Sequence, residues 1–280
     1  MNLNEAIKKG FSFLKKGDVI SPQLDAELLL SKVIRKDRKY LALNYNEVLN
    51  EKKIDDYNDL LKSRLLGKPI AYLLNKKDFW KNEFYVTNNV LVPRPDTEIV
   101  VEEILSMTKF KDKINFLDIG AGSGCIILSI LKEKIKFNGV ALDISKKSLE
   151  ICRINAKILN VSNRIKFFKS DIDNFNYGKY DLIVSNPPYI KSLDLKYLEK
   201  DVKNFEPKLA LNGGIDGLSE IKKVINKTAR LIKRNGLFVL EIAFNQKYKV
   251  VKLLIERGFY INRIVKDYAN NDRCIVCKKI

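Results

Sequence analysis

The chain has 280 residues and no histidine, so mechanisms that need an imidazole base, nucleophile or metal ligand are excluded. Cysteine is scarce: the four residues Cys125, Cys152, Cys274 and Cys277 do not make a disulfide-stapled scaffold, and free thiols fit a reducing compartment. Cys274 and Cys277 have CxxC spacing, but "RCIVCKKI" reads as a strand, where residues three apart face opposite sides and the thiols diverge. With no further Cys or His to complete a ligand set, no metal is expected. No apolar run approaches the roughly 18 residues of a membrane span, and the opening "MNLNEAIKKG" holds no apolar signal stretch. A cytoplasmic protein without membrane contact is therefore expected.

Arginine is also sparse. The formal charge is +18, yet only 11 of the 52 basic residues are arginine, and the lysines are scattered among Asn and Ile along the whole length. Base readers lean on the two-pronged guanidinium, so the charge reads as a solvated surface and a nucleic-acid partner is not expected.

What is present falls into three stretches. Residues 1–76 carry helical signals only: Ser21-Pro22 reads as an N-cap followed by proline at the first helical position, with Leu24, Leu28, Leu29 and Val33 as the apolar face. "YNDLLKSRLLGKPIAYLL" repeats the pattern and stops at Gly67 and Pro69, which together predict a small helical bundle. Residues 77–95 change to aromatic and β-branched residues around Asn-rich turns, as in a hairpin linking two domains. From 96 to 280, seven strand-like runs ("INFLDIG", "NGVALDIS", "IKFFKSD", "YDLIVSN", "GLFVLEIA", "FYINRIVKD", "RCIVCKKI") alternate early on with helix-like segments. That alternation predicts an α/β domain with a doubly wound, mostly parallel sheet and ligands at the carboxyl ends of its strands.

The first strand runs into Asp118-Ile119-Gly120-Ala121-Gly122-Ser123-Gly124. The glycines allow a tight turn and close approach of a ligand to the backbone. A dinucleotide fingerprint wants glycine where Cys125 stands, and no Gly-Lys-Ser/Thr follows, so this is not a phosphate loop. Asp118 would repel a pyrophosphate and suits a ligand with a cationic end. Asp143, ending the second strand, is placed to accept both hydroxyls of a ribose. Asp171, after the third, is placed to accept the amino group of an adenine, with Ile172 against the ring. Each aspartate alone reads equally well as a helix N-cap. Together they describe a nucleoside with a positively charged amino-acid tail, which is S-adenosylmethionine.

The fourth strand is followed by Ser185-Asn186-Pro187-Pro188-Tyr189. Proline fixes φ, donates no hydrogen bond and keeps the preceding residue extended, so Asn186 and Pro187 form a rigid set of acceptors beside an aromatic ring. That arrangement suits a planar NH2 group.

On these residues the chain resembles the class I methyltransferases, with their Rossmann-like seven-stranded sheet. More narrowly it is similar to the protein-(glutamine-N5) methyltransferases of peptide chain release factors, the PrmC/HemK family. The likeness covers nearly the whole length through "DAELLL", "GKPIAYLL", "VPRPDTE", "LDIGAGSG", "SNPPYI", "DVKNFEP" with "LNGGIDGL", and "DYANNDR". The resemblance implies that the Asn186 side-chain oxygen and the Pro187 carbonyl accept the two N–H groups of a glutamine amide. It further implies that Tyr189 packs on that amide and that Pro188, Arg94 and Glu206 line the substrate wall. Release factor is implied as the protein substrate, docked by the N-terminal helices, and a monomer is expected. Two departures stand out. Asn270 replaces the usual glycine of "DYANNDR" and is expected to keep positive φ, and Ile172 stands where an aromatic residue is common. A sister enzyme acting on a ribosomal-protein glutamine, a DNA or RNA amino methyltransferase, and a non-catalytic S-adenosylmethionine-binding adaptor share parts of this pattern. The intact Asn186 and Tyr189 argue against the last.

Overall fold

Short polar side chains start the helices of the N-terminal unit. Asn2 and Glu5 form a reciprocal capping box at α1 (Leu3–Lys15), Asp37 accepts from the Tyr40 amide at α3 (Arg38–Leu43), and Asn50 accepts from the Lys53 amide at α4 (Glu51–Leu65). Between them α2 (Pro22–Ile34) opens on proline as expected, and α5 (Ile70–Leu74) follows Pro69. Leu3, Leu14, Leu29, Leu30, Tyr57 and Leu61 form the core of this bundle. The buried face of α2 differs from the sequence expectation: Asp25, Ala26, Leu29, Leu30 and Ile34 point inward, while Leu24 is exposed. On that inward face Asp25 Oδ2 meets Arg64 Nε of α4 at 2.6 Å, which pairs the buried carboxylate.

The computed structural model describes residues 1–17 and 19–280, which fall into two compact units, Met1–Lys76 with Glu199–Phe205 and Lys77–Leu198 with Glu206–Ile280. The helix α9 (Lys200–Phe205) belongs to the same unit as the bundle, which the sequence pattern does not suggest. Among the described residues, no helix is long and apolar enough to cross a membrane.

A hairpin of β1 (Lys76–Phe79) and β2 (Asn82–Tyr85) follows the bundle. Its reversal falls on Trp80 and Lys81. Trp80 sits at φ 54, with its amide donating to Glu98 Oε1 at 2.8 Å and its indole to Glu133 Oε1 at 3.1 Å. These two bonds hold a conformation that a bulky residue otherwise avoids.

The remaining elements are α6 (Glu98–Met107), β3 (Asn115–Ile119), α7 (Cys125–Glu133), β4 (Asn138–Asp143), α8 (Lys146–Ile158), β5 (Ile165–Lys169) and β6 (Tyr180–Ser185). They continue with α10 (Ser219–Leu231), β7 (Ile232–Glu241), α11 (Lys247–Glu256), β8 (Phe259–Lys266) and β9 (Asp272–Lys279). One seven-stranded sheet runs β5-β4-β3-β6-β7-β9-β8; its first five strands are parallel and β9 is antiparallel to both neighbours. The central strands are apolar on both faces, as helices packed on both sides of a sheet require. Strand order reverses at β3, whose Ile119 pairs with Leu142 of β4 on one side and Ser185 of β6 on the other. The crevice at such a switch point is where a doubly wound sheet binds its ligand. Cys274 and Cys277 are both buried in β9 as free thiols, and Cys277 Sγ donates to the Phe238 carbonyl.

Candidate active site

The glycine loop leaves β3 pinned to the end of β4. The amides of Gly120 and Ala121 both donate to the Leu142 carbonyl, at 2.8 and 3.0 Å, and the Gly122 amide donates to Asp143 Oδ2 at 2.9 Å. Gly120 sits at φ 77, and a Cβ placed there would meet nothing within 4 Å, so the backbone itself faces open space. Beneath it Asp118 is 1 % exposed, and neither carboxylate oxygen has a hydrogen bond. Burial pushes this carboxyl up to about 7, against the pull of the nearby Ile127 amide and with the charge of Asp143 adding to the effect. A buried acid without a partner is an unfinished interaction.

Asp143 ends β4 with its second oxygen, Oδ1, accepting from the Ser145 amide at 2.8 Å. Its pKa is raised by burial, against the pull of the Ser145 and Gly122 amides. Asp171 lies beyond β5, which ends at Lys169, and its Oδ1 accepts from the Asp173 amide at 2.8 Å at the start of a short 3-10 turn. The capping role considered for the aspartates is present at Asp171 and not at Asp143, since α8 is capped by Ser145; both aspartates retain lone pairs for a ligand.

Ser185 closes β6 against β3 through its hydroxyl, which donates to the Ile119 carbonyl at 2.7 Å. The next residue, Asn186, donates from Nδ2 to Thr97 Oγ1 at 3.2 Å. Thr97 is 1 % exposed and stands at the start of α6, in the "PRPDTE" segment. Tyr189 directs its hydroxyl at Glu241 Oε1, 3.4 Å away at the end of β7, and burial beside that carboxylate raises its pKa. Arg94 Nη2 pairs with Glu206 Oε1 at 2.7 Å, which joins "PRPDTE" to "FEP". Arg273 reaches Asp267 at 2.9 Å and Asp96 at 3.4 Å, so "DYANNDR" closes onto the same segment, with Asn270 at φ 65 as expected.

These elements enclose a cavity of about 630 Å³. Gly120, Ala121, Gly122, Ser123, Asp143, Asp171 and Ile172 line one part; Asn186, Pro187, Pro188 and Arg94 line another. Asp118, Gly124, Tyr189 and Glu206 do not line it. Asp118 is enclosed within the sheet, Glu206 is buried behind Arg94, and Tyr189 opens onto a second cavity of about 250 Å³ with its hydroxyl turned to Glu241.

Three groups escaped sequence reasoning. Thr97 and Glu241 were not singled out, although Glu241 is an acidic strand end like Asp118 and Asp143 and the same rule would have found it. Gly213, in "LNGG", has no signal of its own: a Cβ there would lie 2.7 Å from Tyr189 Cα and 2.8 Å from the Pro188 carbonyl oxygen. With the Gly213 amide donating to the Ile190 carbonyl at 2.8 Å, that loop braces the Asn-Pro-Pro-Tyr backbone from behind.

The seven-stranded sheet with an antiparallel β9, a glycine loop after its first strand and acidic strand ends defines a methyltransferase of the S-adenosylmethionine-dependent class. A solved methyltransferase from Pyrococcus furiosus shares this fold, with a TM-score of 0.53 at 19 % identity over 80 % of this chain and 100 % of the other. The methyltransferase small domain family matches residues 96–252, and the PrmC N-terminal domain family matches residues 5–74. A release factor glutamine methyltransferase from Buchnera aphidicola is 37 % identical over 279 residues, covering 100 % of this chain and 99 % of its own length. A bifunctional methyltransferase from Rickettsia conorii is 35 % identical over 95 % of this chain, which spans 56 % of that longer protein. The chain belongs to the release factor glutamine methyltransferase family.

The methyl donor of this class is S-adenosylmethionine, and the residues present fit it. The unpartnered Asp118 carboxylate suits an ammonium group, the open face of Gly120 leaves room for close approach, and the cavity volume lies within the roughly 300–1,000 Å³ of small-ligand sites.

Proposed function

We propose that this chain methylates the side-chain amide nitrogen of the glutamine in the Gly-Gly-Gln loop of peptide chain release factors, and that it does so in the cytoplasm. The observation that carries the reading is Asn186. Its Nδ2 is taken up by Thr97, which leaves Oδ1 as an acceptor on a residue lining the cavity that also holds the glycine loop.

A carboxamide nitrogen is a poor nucleophile because its lone pair is delocalised into the carbonyl. Asn186 Oδ1 and the Pro187 carbonyl accept its two N–H groups and turn that lone pair toward the methyl group, with prolines keeping both acceptors rigid. Bound S-adenosylmethionine supplies a methyl group on a sulfonium, whose C–S electron pair stays with sulfur. The amide nitrogen gains the methyl and sheds one N–H proton to water, so no strong base is needed, consistent with a chain that has no histidine.

Asp118, beneath the glycine loop and off the cavity wall, draws the donor's ammonium end by its charge, while Asp143 takes the ribose hydroxyls and Asp171 the adenine amino group, with Ile172 against the ring. The backbone from Gly120 to Gly124 provides the close approach. Arg94, held by Glu206, and Pro188 form the wall beside the substrate amide. Tyr189 serves the site through its backbone and through Glu241, since its ring does not line the cavity. The helical unit Met1–Lys76 docks the release factor; the names of the full-length relatives and of the matched N-terminal domain support this.

A methyl-transfer assay with labelled S-adenosylmethionine, offering release factor, ribosomal proteins and DNA in parallel, tests the reading. Label on the Gly-Gly-Gln glutamine supports it. Label on a ribosomal-protein glutamine would move the substrate while keeping the chemistry. Label on DNA would refute it and give the +18 charge a function.

A further inference from the structure

Helix α10 walls the large cavity at the end marked by Asp171 and Ile172. Glu220, Lys223, Val224 and Lys227 recur on one face of that helix at i, i+3, i+4 and i+7, and the first three line the cavity. Lys227 lies behind the wall. It is 4 % exposed, and lysine is seldom buried unless its ammonium group has partners. The partners here are the Asp173 carbonyl at 2.9 Å and Asn176 Oδ1 at 3.0 Å. Both belong to the turn that follows β5, so a charged group has been taken out of water to hold one short loop.

That loop carries Asp171. The Asp171 carboxylate accepts at Oδ1 from the Asp173 amide at 2.8 Å, and the Asn174 amide donates to the Asp171 carbonyl at 3.2 Å. Asp173 is therefore held on both sides, its N–H by Asp171 and its C=O by Lys227. Because a carboxylate is planar, fixing Oδ1 also fixes the direction of Oδ2, the oxygen left for a ligand. Phe175 anchors the same loop in the core, 3 % exposed, with its ring 5.5 Å from that of Phe168 on β5. Apolar burial is non-directional, so it keeps the loop down without orienting its peptide groups. The orientation comes from the hydrogen bonds.

We propose that Lys227 is a positioning residue for the methyl donor: through Asp173 it sets the direction of the Asp171 carboxylate, and with it the selection of an adenine amino group over the oxo group that hypoxanthine carries at the same carbon. The inference rests on the role given to Asp171 above. An amino group gives Asp171 Oδ2 a hydrogen to accept, whereas an oxo group sets a second acceptor against it and satisfies neither. The discrimination is only as sharp as the carboxylate is fixed. Once the turn is loosened, Asp171 loses its aim at the amino group and can swing from an oxo group to water.

The test measures, by calorimetry on full-length protein, the binding of S-adenosylhomocysteine and of its oxo counterpart S-inosylhomocysteine to wild type, Lys227→Met, Asn176→Ala and Asp171→Ala. Methionine keeps the apolar stem of lysine and removes its donors. Wild type is expected to prefer the amino ligand by at least about 10-fold, the lower end for a hydrogen bond to a charged group. In Lys227→Met the preference is expected to fall to within about 3-fold, through weaker binding of S-adenosylhomocysteine, while S-inosylhomocysteine stays within about 2-fold of its wild-type affinity. Equal weakening of both ligands, which a merely structural role would give, or a preference kept at the wild-type ratio, overturns the inference. Asn176→Ala removes one of the two acceptors at an exposed position, and an intermediate preference is expected. Where Lys227→Met does not fold, a wild-type preference in Asn176→Ala overturns the inference. If wild type binds both ligands equally, the adenine role of Asp171 fails and the inference falls with it; a preference that Asp171→Ala abolishes and Lys227→Met retains refutes the inference alone.

Discussion

Asp118→Asn separates the cost of an empty site from the gain of a filled one. In the ligand-free protein the Asp118 carboxylate is buried without a hydrogen bond, and its pKa rises from 3.8 to about 7. At about 1.4 kcal/mol per pH unit, ionising it in the folded chain costs roughly 4 kcal/mol once the pH is above about 7. Between those two values the unfolded chain has given up the proton and the folded chain has kept it, so stability falls as pH rises from about 4 to 7. Asparagine has no such charge. Without ligand, Asp118→Asn is therefore expected to be more stable than wild type at pH 8, by up to about 4 kcal/mol, and the advantage is expected to shrink to under about 2 kcal/mol by pH 5. Denaturant unfolding of both proteins at the two pH values measures this; Glu241, which also titrates near neutrality, is common to both and cancels. With S-adenosylmethionine the order reverses in affinity: losing the attraction of this charge for the donor's ammonium end, at the roughly 1.5–3 kcal/mol of a charged partner, is expected to weaken binding about 10- to 100-fold. Equal pH dependence in the two proteins would refute the buried, unpartnered state of Asp118, and unchanged affinity would refute its role toward the ammonium group.

Asn186→Ala is expected to keep donor affinity within about 3-fold while methyl transfer falls by at least about 10²-fold, read by calorimetry and by the labelled assay; equal loss of both would contradict its assigned role. Asp143→Ala strands the Gly122 and Ser145 amides as well as the ribose site, so donor affinity and melting temperature are both expected to fall, the latter by the few degrees that about 1–2 kcal/mol gives. Gly213→Ala pushes a methyl into the Pro188–Tyr189 backbone, and kcat is expected to drop while donor binding is retained, a split that steady-state kinetics would show.

Much of this molecule is legible in one dimension because its signals are local or periodic. The seven strand-like runs became β3 to β9, since short β-branched and aromatic runs bounded by turns suit strands. The glycine loop and Asp143 declared themselves by their place at strand ends, and Asn-Pro-Pro-Tyr by the stiffness that two prolines impose. The buried face of α2 differs from its leucine pattern and includes Asp25, whose partner Arg64 stands 39 positions away. The resemblance sets Tyr189 against the substrate amide; in space its hydroxyl meets Glu241, 52 positions on. The sequence by itself determined the elements, their order and the chemistry of the loop tips, because these follow from side-chain period and backbone stereochemistry. Only the tertiary structure decided how Thr97, Asn186, Tyr189 and Glu241 meet, because a hydrogen bond between remote segments depends on sheet register, which no local pattern records.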